Sequence, residues 1–155
     1  MNTSDSYVVF TLDDLKFGLR LLCVERILRI VEITPLPKAP DIITGVINIR
    51  GQIVPVYNIR RRFNLPEHET NLNEQLIVAN ISTHKVAIVA DSVSGIVECP
   101  RQEVVPAADV LRGADYFEGI IKQADGLIII HDLDKFLSTG EKKKLIMAIK
   151  GHKNG

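Results

Sequence analysis

The chain contains no tryptophan, and aromatic residues make up only 5% of its 155 positions. Because hydrophobic residues still reach 46%, the core must be built mainly from Ile, Val and Leu. Cysteine is also scarce: Cys23 and Cys99 do not make a disulfide framework, which predicts free thiols. No apolar run approaches the ~20 residues of a membrane span, and the first residues lack the features of a signal peptide. We therefore expect a cytoplasmic globular protein that does not insert into a membrane.

An excess of charge of either sign is also missing. The 19 Lys and Arg residues are balanced by 19 Asp and Glu residues. Nucleic-acid binders usually carry a basic excess, because contacts with phosphates supply much of their affinity. The high hydrophobic content excludes a disordered, solvating chain. At this length we expect one domain, or two very small ones that share a core.

Short segments rich in β-branched residues recur along the chain and are separated by turn residues. This pattern predicts about ten strands and an all-β sandwich or barrel assembly. The polar segment 64–74 is expected to be a long surface loop, and residues 101–113 to be irregular or weakly helical. Residues 21–31 are ambiguous between helix and strand, and we favour a single turn followed by a strand.

The clearest hairpin lies between Val46 and Val56, with its turn at Arg50-Gly51. Gly51 can supply the positive φ that a tight turn needs. Pro55 has no N–H group to donate to a ladder, so its strand is predicted to lie at a sheet edge or to be bulged there. Before the hairpin, Pro40–Thr44 is predicted to form a short helix.

Residues arranged for catalysis or metal binding are not found in the sequence. The four histidines are scattered, no Cys-x-x-Cys pair is present, and there is no nucleophile elbow or phosphate-binding glycine-rich loop. Both cysteines lie in apolar contexts, where a thiol commonly packs as a small hydrophobe. We therefore expect no enzymatic activity, no metal site and no cofactor.

Two basic clusters stand out. Arg60–Arg62 could form a nucleic-acid patch, but such a patch needs further basic strands and stacking aromatics, so a solvated face or a contact with a protein is favoured. An oligonucleotide-binding β-barrel that uses Arg60–Arg62 is kept as the alternative function. In a predicted helix over 141–150, Lys142–Lys144 precedes an apolar stretch that either docks on the domain or on a partner, or touches an anionic membrane.

The segment 40–63 resembles the signature of the CheW-type chemotaxis coupling proteins. The resemblance is carried by Gly45-Val46-Ile47-Asn48-Ile49-Arg50-Gly51, then Ile53-Val54-Pro55-Val56, and Arg60. Its flanks also agree, at Phe17-Gly18-Leu19, Val24–Ile27, Ile88–Val93, Tyr116–Ile120 and Leu127–Leu137. The match covers residues 6–138 in order, without large gaps.

The resemblance implies a fold of two small five-stranded SH3-like β-barrels packed around a shared core, with short helices and a C-terminal helix. It implies a CheW-like domain over 7–138 with the two subdomains dividing in the region 64–90. A flexible segment 1–6 is expected before it, and a basic helix or tail 139–155 after it.

The function that the resemblance implies is that of a non-catalytic adaptor in bacterial two-component signal transduction. The adaptor couples chemoreceptors to a chemotaxis histidine kinase. Its partners would be the regulatory domain of the kinase and the cytoplasmic signalling tip of the receptor. The adaptor would sit in the cytoplasm, held by these partners at receptor arrays on the inner face of the membrane.

The resemblance also implies which residues contact partners, namely Arg50, Asn48, Val24, Glu25, Arg26 and Arg60. Arg50 is the first choice, against the alternative of an ordinary turn arginine, and for Val24 core packing is an equal alternative. Turn-forming or backbone roles are expected for Gly45, Gly51 and Pro55. Arg26 stands where the family often has an acidic residue, and Asn58 where it often has Asp. A pathway other than flagellar chemotaxis therefore stays open.

Overall fold

A computed structural model describes residues 3–67, 69–109 and 116–154 of the chain. In this part of the chain eleven strands are found: β1 (Ser4–Leu12), β2 (Leu15–Arg20), β3 (Val24–Arg29), β4 (Ile43–Ile49), β5 (Gln52–Tyr57), β6 (Gln75–Asn80), β7 (Lys85–Ala90), β8 (Ser92–Pro100), β9 (Val104–Pro106), β10 (Phe117–Gln123) and β11 (Gly126–His131). The α-helices are α1 (Ile59–Arg62) and α2 (Thr139–Asn154), and short 3-10 helices cover Leu21–Cys23, Arg101–Glu103, Ala107–Asp109 and Leu133–Lys135. Among these helices none is long and apolar enough to cross a membrane.

The strands form one sheet of six and one of five. The six-stranded sheet has the order β8-β1-β2-β11-β10-β9, and the five-stranded sheet the order β3-β6-β7-β5-β4. Neighbouring strands are antiparallel except β2 with β11 and β5 with β7. The six-stranded sheet thus joins the two ends of the chain, whereas the five-stranded sheet is built from one continuous stretch, in which 64–74 connects α1 to β6.

The core follows the alternation of side chains along each strand. In β6, Leu76 and Val78 belong to a cluster within the five-stranded sheet, whereas Ile77 and Ala79 face a larger cluster shared with the other sheet. The shared cluster also takes Phe10, Leu12, Phe17 and Leu19 from the six-stranded sheet, and Leu145 and Ala148 from α2. A third cluster lies within the six-stranded sheet and contains Tyr7, Val9, Cys99, Ile121, Ile128 and Ile130. The predicted all-β fold with a shared aliphatic core is confirmed.

The two edges of the five-stranded sheet are joined by an isolated bridge. The backbones of Thr34, which follows β3, and Val46, in the opposite edge strand β4, exchange hydrogen bonds of 2.9 and 2.8 Å. Gly45 permits this approach, because a Cβ at that position would collide with the carbonyl oxygen of Thr34. The sheet is therefore curved in the way that closure into a barrel requires.

Most of the predicted local structure is confirmed. The three hairpins β4–β5, β6–β7 and β10–β11 are present, and Leu21–Cys23 forms a turn before β3, as favoured for residues 21–31. The C-terminal helix begins with a capping box, because the Glu141 N–H donates to Ser138 Oγ (3.1 Å) and the Ser138 N–H donates to Glu141 Oε1 (2.8 Å).

Two local predictions are wrong. Pro40–Thr44 is not helical: the Ile43 N–H donates to the carbonyl of Pro40 (2.9 Å) in a single turn, and β4 begins at Ile43, where β-branched side chains are buried. Pro55 is neither in an edge strand nor at a bulge, because β5 lies between β4 and β7 and the Pro55–Val46 pair is in regular register with the pairs on both sides of it. The parallel pairing of β5 with β7 starts only at Val56, so the missing N–H of Pro55 falls before that ladder.

The region 101–113 contains a strand that the pattern did not indicate. β9 pairs with β10 between two 3-10 helices and makes the first sheet six-stranded instead of five-stranded. Residues 110–113 lie outside the described residues. At the N-terminus, β1 begins at Ser4, which pairs with Pro100, inside the segment 1–6 that was expected to be flexible.

Candidate partner-binding surface

The tip of the β4–β5 hairpin presents Arg50 on a rigid turn. Arg50 and Gly51 have positive φ values of 51° and 85°, as a type I′ turn requires. Asn48 Oδ1 accepts a hydrogen bond from the Gly51 N–H (2.7 Å), which holds the turn. The Arg50 side chain is exposed, and within the described residues its guanidinium makes no hydrogen bond or ion pair. It is therefore available to a partner, while Asn48 serves to position the turn.

The residues of β3 that were predicted to contact partners alternate between the core side and the solvent side of the strand. Val24 is half-buried and packs against the shared core. Glu25 pairs with Lys85 (2.8 Å), and this hydrogen bond lowers the pKa of its carboxyl group. The Arg26 Nε lies 3.8 Å from Glu25, and 41% of Ile27 is exposed. Because Lys85 neutralises the charge of Glu25, the positive charge of Arg26 makes the surface of this strand basic.

The strand register places the hairpin tip and the start of β3 at one end of the five-stranded sheet. Val24 pairs with Ala79 in β6, and Ala79 pairs with Val86 near the start of β7. β5 runs parallel to β7, so the start of β5, directly after the Arg50 turn, lies at this same end. Five of the six predicted contact residues are therefore brought to one end of the sheet.

Arg60 lies at the opposite end, in α1, which follows the last residue of β5. Its guanidinium donates to both carboxylate oxygens of Asp91 (2.7 and 2.8 Å), to Asp13 (3.0 Å) and to the carbonyl of Pro66 (2.9 Å). Only 10% of the side chain is exposed. Asp13 lies in the β1–β2 turn and Asp91 between β7 and β8, so Arg60 ties the five-stranded sheet to the six-stranded one.

The other two arginines of the cluster are paired as well. Arg61 bonds Glu67 (2.9 Å) and the carbonyl of Asp41. Arg62 makes two hydrogen bonds to Glu141 (2.8 and 3.0 Å), and its guanidinium lies 4.6 Å from the Tyr116 ring centroid. The three guanidinium groups thus enter three separate ion pairs instead of one basic patch. This pairing removes the surface on which the oligonucleotide-binding alternative depended.

Sequence reasoning missed His131, which is buried at the centre of an aromatic cluster. Its ring stacks on Phe17 at a centroid distance of 4.9 Å, and Phe63 (5.0 Å) and Phe10 (6.1 Å) surround it. Burial lowers the pKa of His131 to about 3, so the ring is neutral near pH 7. No local signal could have found this position, because the surrounding rings come from distant parts of the chain.

Within the part of the chain that the structure describes, the cysteines and acidic groups form neither an activated thiol nor a metal centre. Burial raises the pKa of the thiols of Cys23 and Cys99, which disfavours the nucleophilic thiolate. Over the described ranges, no group of three His, Cys, Asp or Glu side chains is placed to hold a metal ion. The chemistry that the surface does offer is the free guanidinium of Arg50 beside an edge strand.

Comparison with known proteins gives a consistent result. The protein-family model of the CheW-like domain matches residues 6–141 of the chain. The chain is 30% identical over 148 residues to Chemotaxis protein CheW of Klebsiella aerogenes, covering 94% of this chain and 89% of that protein. It is 26% identical over 144 residues to Chemotaxis protein CheW of Treponema pallidum, covering 89% and 85%. The crystal structure of scaffolding protein TtCheW from Thermoanaerobacter tengcongensis superposes with a TM-score of 0.79 at 28% identity, covering 88% of this chain and 94% of that one.

Proposed function

Since the chain belongs to the CheW-like domain family, we propose that it is a non-catalytic adaptor that couples chemoreceptors to a chemotaxis histidine kinase. The relatives named for chemotaxis and the scaffolding protein of the same fold support this function. An adaptor needs a stable body with exposed contact groups, and it needs no catalytic constellation. The chain would act on the cytoplasmic side of the membrane, where receptor signalling tips and the kinase regulatory domain meet.

The observation that carries the proposal is the exposed, unpaired guanidinium of Arg50. Its turn is fixed by two positive φ values and by the Asn48 hydrogen bond, so little backbone freedom is lost on binding. The planar guanidinium can bind a carboxylate with two parallel hydrogen bonds, or bridge backbone carbonyls at a helix C-terminus.

The start of β3, at the same end of the sheet as Arg50, offers a second basic residue. Arg26 and the half-exposed Ile27 lie on β3, at the edge of the sheet. Successive side chains of a strand point to opposite faces, so a partner that wraps this edge would offer a carboxylate to Arg26 and an apolar side chain to Ile27. We propose that Arg50 and the first part of β3, Val24–Ile27, form one contact surface, and that Arg60 supports the fold from the other end of the sheet.

The test is reconstitution with the kinase and a receptor cytoplasmic domain from the same organism. Kinase autophosphorylation is measured with the wild-type chain, with Arg50→Glu, and with Arg29→Glu as the matched control. Arg29 is an exposed arginine of β3 that pairs with Gln75, toward the opposite end of the sheet. We expect Arg50→Glu to reduce receptor-dependent stimulation by about tenfold or more and the control to leave it nearly unchanged.

Two outcomes would contradict the proposal in different ways. If the wild-type chain does not alter kinase output with any receptor of the organism, the coupling function is wrong. If Arg50→Glu stimulates the kinase as well as the wild type does, coupling stands but Arg50 is not a contact. Circular dichroism of each variant ensures that a loss of stimulation reflects the surface and not unfolding.

A further inference from the structure

The helix α2 has one face on the core and one face that the proposed function does not use. Leu145 and Ala148 are buried in the shared core, and Ile149 packs against it. Glu141 anchors the first turn through its two hydrogen bonds with Arg62. The rotation of α2 about its own axis is thereby fixed, so its outer face is a defined surface.

That outer face carries a stripe with the spacing of a helix-packing surface. Each residue of an α-helix advances by about 100°, so positions i, i+3, i+4 and i+7 line one side. Here these positions are Lys143, Ile146, Met147 and Lys150. Ile146 is 53% exposed and Met147 73% exposed, and both lysines are exposed. Two apolar side chains are thus bracketed by two cations.

The charge of this face has one sign. Glu141 is the single acidic residue in the sequence of α2, and its carboxylate is bonded to Arg62. Lys142 and Lys144 flank the stripe and are also exposed. The face therefore complements a surface that presents carboxylates next to apolar side chains.

We infer that this face of α2 docks an acidic amphipathic helix of a protein partner. Ile146 and Met147 would pack against apolar residues of that helix, and Lys143 and Lys150, about 10 Å apart along the axis, would pair with its carboxylates. An anionic membrane fits less well. A helix that lies on a bilayer inserts its wide apolar side, and in α2 that side, with Leu145 and Ala148, is already buried in the protein.

The test uses the full chain and a labelled synthetic helical peptide built from Leu, Ala and Glu. A matched peptide has Lys in place of Glu. Fluorescence anisotropy measures affinity for the wild type, for Ile146→Ser/Met147→Ser, for Lys143→Glu/Lys150→Glu, and for Lys122→Glu as control. Lys122 is an exposed lysine of β10, remote from α2 in the sequence. We expect both α2 variants to lose about tenfold or more in affinity for the acidic peptide, the control to bind normally, and the Lys peptide to bind weakly.

Other outcomes would overturn the inference. The inference is wrong if the acidic peptide does not bind to the wild type. A loss caused by the lysine changes alone would indicate general charge attraction without helix packing. Binding of the wild type, but not of the α2 variants, to vesicles of phosphatidylserine and phosphatidylcholine, with no peptide binding, would assign the face to a membrane. These readouts do not involve Arg50 or the kinase, so they are independent of the adaptor proposal.

Discussion

At the residue scale, Arg50 and Arg60 show how surroundings determine what a guanidinium does. The exposure of Arg50 could be predicted, because a turn residue next to a glycine projects from a hairpin. The burial of Arg60 could not, because its partners Asp13 and Asp91 are distant in sequence. In the sequence, a run of three arginines suggests a basic patch. In the folded chain, each of the three pairs with different carboxylates.

The ion cluster of Arg60 predicts a large effect on stability. Arg60→Leu would remove the guanidinium that pairs with Asp91 and Asp13 in a partly desolvated site, so we expect a loss of about 2–3 kcal/mol in the free energy of unfolding. The matched change Arg61→Leu breaks an exposed pair with Glu67 and should cost less than about 1 kcal/mol. Urea unfolding followed by circular dichroism measures both, and equal losses would contradict the role assigned to Arg60.

The buried His131 predicts a specific dependence of stability on pH. Its pKa is about 3 in the folded chain and near 6.5 when unfolded. Above about pH 6.5 the ring is neutral in both states and contributes no pH dependence. As the pH falls toward 3, the unfolded chain binds a proton that the folded chain does not. The free energy of unfolding therefore decreases by up to about 1.4 kcal/mol per pH unit.

His131→Leu removes the imidazole that binds this proton in the unfolded chain. Between about pH 7.5 and about pH 5, the wild type should lose about 2 kcal/mol more stability than the variant, whatever the absolute stability of either. The measurement is a pair of urea titrations at each pH. Parallel losses in the two proteins would mean that His131 accepts a proton inside the folded chain.

At the scale of elements, the strands and turns that could be predicted were those with strong local sequence patterns. The hairpins were predictable because turn residues separate alternating apolar segments, and their pairing is between neighbours in sequence. β9 has three residues, too few to show a period, and exists because β10 offers it a ladder. Pro40–Thr44 has a proline at a helix-compatible position, but burial of Ile42 and Ile43 in the shared core favours a turn and a strand.

At the scale of the whole molecule, the order of strands in the sheets could not be predicted from local patterns. β1 pairs with β8 and β2 with β11, both from the second half of the chain, and nothing in either segment specifies such a distant partner. Residue patterns predicted only an all-β fold. The chain length left open one domain or two very small ones that share a core; the family resemblance favoured the second arrangement, and the cluster that joins both sheets and α2 confirms the shared core.

This topology predicts that the two sheets unfold together. The shared core takes Phe10 and Phe17 from one sheet and Tyr57 and Ile77 from the other, so the loss of either sheet would expose the apolar face of its neighbour. Because the chain has no tryptophan, a single Trp can report on each sheet separately. Leu127→Trp in β11 and Ile27→Trp in β3 replace partly exposed side chains and should preserve the fold.

The measurement follows Trp fluorescence and circular dichroism of both variants in urea. We expect the two fluorescence transitions to coincide with each other and with the dichroism transition of the same protein, once each midpoint is corrected for any stability change of the variant. Refolding should be slow for this size, because the six-stranded sheet cannot close until both ends of the chain have met. A fluorescence midpoint that separates from the dichroism midpoint in either variant would show that one sheet persists without the other, and that the shared core does not couple them.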